Sequence, residues 1–127
     1  MITLICGLPR AGKTTYSQKY ENTCKVIHTD NIGSSQNLMN IIKHYDDVVV
    51  EGIFRIARFR ELILRSRKDE FSRCIWIDTP IEVRKSRANY SPFGGERFEP
   101  PTLDEGWDEI IIIRGNDEQR ISRETEN

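Results

Sequence analysis

Apolar residues fall in short dense runs along the chain, separated by mixed segments in which they recur every three to four positions. The runs at 1–6, 24–28, 47–51, 73–77 and 109–113 read as strands. Helical spacing covers 13–20, 35–45, 54–67 and a stretch from Pro80, with Ile56, Phe59 and Ile63 predicted on one face of the third helix. In Thr79-Pro80-Ile81-Glu82 the proline suits the first helical position, and Thr79 and Glu82 can satisfy free N–H groups reciprocally. Val48-Val49-Val50 and Ile110-Ile111-Ile112-Ile113 lack the alternation of a half-exposed strand, as expected when helices cover both faces of a parallel sheet. The alternation predicts a three-layer α/β sandwich.

Two stretches break this rhythm. Between Asn89 and Glu105, three prolines, three aromatic residues and Gly94-Gly95 predict an irregular lid or substrate loop, spanning about 84–105. Its aromatics Tyr90, Phe93 and Phe98, near Arg87 and Arg97, either stack bases of an opened strand or pack the loop itself. The tail 114–127 is polar and of mixed charge, and is expected to be a frayed helix or disordered. That leaves a single domain over 1–113, and 127 residues leave no room for a second.

Composition narrows the class. A hydrophobic fraction of 37% with 31% charged residues fits a soluble globular chain, and no apolar run reaches the length of a membrane span. The opening apolar run lacks the basic lead-in and length of a secretory segment. Cys6, Cys24 and Cys74 form no C-x-x-C pair, so buried thiols without disulfide partners, in a reducing cytoplasm, are expected. His28 and His44 have no partners at metal-ligand spacing. A net charge of −1 gives no global attraction to a polyanion, so a nucleic-acid contact needs a local basic patch.

The strongest chemical signal is G-x-x-x-x-G-K-[ST], met by Gly7, Gly12, Lys13 and Thr14 between a strand and a helix. The nucleotide-binding segment is Gly7, Leu8, Pro9, Arg10, Ala11, Gly12, Lys13, Thr14 and Thr15. Its glycines let backbone N–H groups turn toward a phosphate, Lys13 reaches the β- and γ-oxygens, and Thr14 is expected to ligate magnesium. Asp30 follows the second strand at the edge where α/β folds assemble their sites, and either accepts a proton from an acceptor hydroxyl or caps the turn before the helix near Ser35. Glu51 ends a buried strand where such proteins hold a magnesium-bound water or contact the acceptor, and Arg55 beyond it can bind acceptor oxygens. Of Arg84, Lys85 and Arg87, Arg87 is the candidate to meet the transferring phosphate as the loop closes. Arg58, Arg60, Arg65, Arg67 and Lys68, interspersed with Glu61, Asp69 and Glu70, read as a solvated helix face.

Together, Gly7 to Thr14, Asp30, Glu51-Gly52 and Thr79-Pro80 with Arg87 resemble the small P-loop kinases, over most of residues 1 to 113. That group includes phage polynucleotide 5′-hydroxyl kinases, zeta-toxin kinases and the phage kinases of 5-hydroxymethyluracil in DNA. The resemblance implies a P-loop NTPase sandwich with a five-stranded parallel sheet ordered 2-3-1-4-5, and ATP with Mg2+ as the phosphate source. It also implies Asp30 as general base and Arg87, seven residues after Pro80, as a lid cation. Glu51-Gly52-Ile53-Phe54-Arg55 is similar to the Glu-Gly-Thr-Leu-Arg stretch of zeta toxins, whereas Asn31-Ile32-Gly33-Ser34 lacks the arginine that polynucleotide kinases carry after the base. The implied acceptor is a hydroxyl of a nucleic acid or nucleotide, in a phage-type DNA kinase a 5′-hydroxyl or a 5-hydroxymethyluracil base. Two alternatives stay open: a kinase of nucleoside monophosphates or other small molecules, and an ATPase switch.

Overall fold

The structure is a computed structural model and describes residues 1–87 and 97–123. Six strands form one mixed sheet: β1 (Ile2–Cys6), β2 (Lys25–His28), β3 (Val48–Gly52), β4 (Ser72–Ile77), β5 (Glu109–Arg114) and β6 (Asp117–Ser122). Their order is β2-β3-β1-β4-β5-β6, the first five parallel and β6 antiparallel to β5. The five parallel strands keep the order 2-3-1-4-5. The count, however, is six rather than five.

The sixth strand lies in the segment expected to be a frayed or disordered tail. Gly115 (φ +62°) and Asn116 form a two-residue turn between the paired Arg114 and Asp117, a glycine-led geometry that matches the twist of a hairpin. Backbone pairing with β5 holds β6, and of its side chains only Ile121 packs against the core. A strand supported by main-chain bonds rather than by an apolar face leaves little hydrophobic pattern to read.

Four helices flank the sheet: α1 (Lys13–Ser17, extended by a 3-10 turn over Gln18–Tyr20), α2 (Ser35–Ile42), α3 (Ala57–Ser66) and α4 (Ile81–Lys85). Successive β1 side chains point to opposite faces. Ile2, Leu4 and Cys6 meet Leu38 and Ile42 of α2, Ile63 of α3 and the fully buried Trp107. Ile5 points the other way, into a cluster with Val49, Ile75 and Ile111 that Ala11, Tyr16 and Tyr20 cover. Helix α3 buries only part of the face expected of it: Ile63 is buried, but Phe59 is 42% exposed and Arg60 is fully buried in its place. Arg67 also departs from a solvated role, since its guanidinium donates to the carbonyls of Ile42, Tyr45 and Asp46.

Cys6 and Cys74 are buried thiols with Sγ atoms 3.7 Å apart, and Cys24 is half-buried. Among the described residues no helix is long and apolar enough to cross a membrane. The centre of the expected lid, 88–96 with Tyr90 and Phe93, lies outside the described residues. Phe98, on its far side, stacks on Trp76 with centroids 5.1 Å apart and planes within 5°, so this aromatic packs against the core.

Candidate functional site

Parallel pairing brings the carboxyl ends of the strands to one edge of the sheet. Glu51 lies opposite Ile5 on one side and His28 on the other, and Cys6 lies opposite Gly52 and Trp76. The loop 7–12 starts from that edge. Gly7 tolerates no side chain there, because a Cβ would stand 2.7 Å from the Ile77 carbonyl oxygen.

The carbonyls of this loop are tied down one after another. The Lys13 ammonium donates to the oxygens of Gly7 at 2.9 Å and Leu8 at 3.0 Å. Arg84 Nη1 reaches the Pro9 oxygen at 3.5 Å, Arg87 Nη1 donates to the Arg10 oxygen, and the Thr79 hydroxyl donates to the Ala11 oxygen at 2.6 Å. Five successive carbonyls are thus engaged, three of them by the segment from Thr79 to Arg87 that contains α4. The expected cap at Thr79 is not formed: Pro80 is itself the cap residue, with no side-chain bond, and the Thr79 hydroxyl donates to Ala11 instead. Carbonyl engagement fixes the peptide planes, and the first N–H groups of a helix have no partner within it.

Lys13 is half-buried, and desolvation lowers its pKa below the ordinary lysine value, while the carboxylates of Glu51 and Asp30 oppose that shift. Both acids therefore lie within electrostatic reach of the ammonium. Glu51 is buried at the end of β3 and accepts from the Thr14 hydroxyl at 3.0 Å and from His28 Nδ1 at 3.1 Å. Thr15 is exposed on the same first turn of α1. Asp30 sits in a 3-10 turn, Thr29–Asn31, and is exposed; the cap of α2 is Ser34, whose side chain accepts from Asn37 N at 3.2 Å.

Gly52 fits because nothing else would: a Cβ there would stand 2.3 Å from Thr29 Oγ1 and 2.7 Å from the Phe54 ring. Arg55 follows in the same loop, and its carbonyl accepts from Glu99 N at 2.8 Å. The Glu99 side chain in turn accepts from Ala57 N at 3.0 Å, at the start of α3. The stem after the lid is thereby fastened to the loop that follows Glu51.

Oxygen donors from Thr14 and Glu51 suit a hard cation such as magnesium. Among the described residues no three His, Cys, Asp or Glu groups converge as a metal cage. His28, Thr79 and Glu99 are site residues that spacing does not reveal, since their partners lie 23, 68 and 42 positions away. For His28 the signal is its place at the carboxyl end of β2, two residues before Asp30. Compared with models of protein families and with curated proteins, the chain matches none.

Proposed function

We propose that the chain is an ATP-dependent phosphotransferase with the P-loop NTPase fold, moving the γ-phosphate of Mg-ATP to a hydroxyl of a nucleic-acid or nucleotide acceptor. The observation that carries this reading is the loop whose carbonyls from Gly7 to Ala11 are all engaged. With those carbonyls held, the amides at the start of α1, which have no partner within the helix, can meet an anion. Lys13 supports the same reading, because a phosphate dianion stabilises an ammonium that is partly withdrawn from water.

Transfer needs little covalent work from the protein, so positioning and charge neutralisation carry most of it. The acceptor oxygen attacks the γ-phosphorus, the bond from that phosphorus to the β–γ bridging oxygen breaks to leave ADP, and the hydroxyl proton passes to Asp30. Lys13 and Arg87 hold charge on the transferring group, and Arg55 serves the acceptor. Magnesium, held by the Thr14 hydroxyl with Glu51 in its shell, supplies further charge neutralisation when bound. The finer reading is a DNA kinase of the phage type, acting on a 5′-hydroxyl or a 5-hydroxymethyluracil base; it departs from polynucleotide kinases in the turn Asn31-Ile32-Gly33-Ser34, which lacks their arginine.

Incubation with γ-labelled ATP and a panel of 5′-hydroxyl oligonucleotides, hydroxymethylpyrimidine DNA, nucleosides and nucleoside monophosphates tests this directly. Label on a hydroxyl acceptor is expected. Label on nucleoside monophosphates alone, or free phosphate alone, overturns the reading in favour of a monophosphate kinase or an ATPase.

A further inference from the structure

We propose that His28 is a positioning residue that fixes the Glu51 carboxylate, and through it the Thr14 hydroxyl, for a metal–nucleotide complex; this rests on the phosphotransferase reading above. The two residues are direct neighbours in the parallel ladder of β2 and β3. Glu51 is almost enclosed, its side chain 7% exposed, whereas His28 is 30% exposed. A buried carboxylate needs donors around it, and it only accepts. The groups facing it, the Thr14 hydroxyl at 3.0 Å and His28 Nδ1 at 3.1 Å, therefore both donate, which sets the histidine tautomer with its proton on Nδ1.

Both donors converge on Oε1. Among the described residues Oε2 has no hydrogen-bond partner, so one carboxylate oxygen is anchored and the other is left to the site. Without His28 the anchor would be Thr14 alone, whose own oxygen is wanted as a ligand. The backbone of this region has little slack, because Thr29 closes on Gly52 so tightly that a Cβ would meet its hydroxyl at 2.3 Å. His28 is thus held at a fixed distance from Glu51 by strand pairing on one side and by that contact on the next residue. The arrangement is that of an outer-shell partner, which orients a ligand without touching the metal.

Mn2+ binding to the ADP-loaded protein provides a readout apart from turnover, with ADP binding in the absence of metal measured alongside. Relative to wild type, His28→Ala is expected to weaken Mn2+ about tenfold or more, the usual loss on removing such a partner, while metal-free ADP binding stays unchanged. His28→Asn, which carries an N–H near the position of Nδ1, is expected to restore most of that affinity. In a Glu51→Gln background His28→Ala is expected to add nothing. Wild-type Mn2+ affinity in His28→Ala, failure of His28→Asn to rescue, or additive losses in the double variant would each overturn the proposal. Absence of ADP binding in the wild-type protein would instead overturn the phosphotransferase reading, and the role of His28 with it.

Discussion

Burial works against the charge on Lys13, and the groups that offset it, Glu51 and Asp30, belong to the same site. Removing the ammonium therefore relieves a desolvation cost while deleting the phosphate contact. Lys13→Ala is expected to stay folded and to lose nearly all turnover, as seen by circular dichroism beside label transfer. Asp30 lies exposed and holds no cap, so Asp30→Ala is expected to leave the ATP binding isotherm intact and to lower kcat by about 10²–10⁴-fold, the usual contribution of a general base. Both residues were legible in the sequence because their signals are local: Lys13 by its spacing from Gly7 and Gly12, Asp30 by following a strand. His28 and Thr79 were not. Each acts through a partner that only the sheet brings near, and no spacing rule spans 23 or 68 residues.

Charge patterning misleads most on α3. Arg60 looks like one of several alternating charges, yet it is fully enclosed and forms a two-pronged bond to Glu105, at 2.9 Å from Nε and 2.8 Å from Nη2, with Nη1 on the Phe54 carbonyl. Burial alone would lower its pKa, but the hydrogen bond and charge of Glu105 outweigh that and raise it. The partner is 45 residues away, so an amphipathic reading of the helix has no means of finding it. Glu105→Ala strands a buried guanidinium and is expected to cost about 3–5 kcal/mol, measured by urea unfolding. The end of α3 has a milder pH dependence. The Arg67 hydrogen bond, with help from the Met1 ammonium, lowers the Glu70 pKa from 4.5 to about 2. A depressed carboxyl pKa contributes stability that is present above the unfolded value and lost as pH falls through the folded one. The thermal midpoint is thus expected to drop as pH falls from 4.5 toward 2, and to drop less in Glu70→Gln.

At the scale of the molecule, the sheet is apolar at its centre and polar at its edges. Every residue of β1 and β3 is buried, whereas β2 buries only Ile27 and β6 exposes four of its six. Amide exchange is expected to be slowest in Ile2–Cys6 and Val48–Gly52 and fastest in Asp117–Ser122, since local opening follows the density of buried contacts. The same contrast accounts for what could be read beforehand. Continuous apolar runs announce central strands, the order of the parallel five comes from the resemblance, and β6, with Asp117, Glu118, Gln119 and Arg120 exposed, announces itself only by Gly115-Asn116. Arg87 bears on the molecule as a machine. Its guanidinium is already committed to the Arg10 carbonyl, so moving it onto a phosphate trades one hydrogen bond for another, and the net gain is the difference between them. In the phosphotransferase reading the same guanidinium cannot serve both partners, so an Arg87 that turned to the nucleotide would let go of the Arg10 peptide.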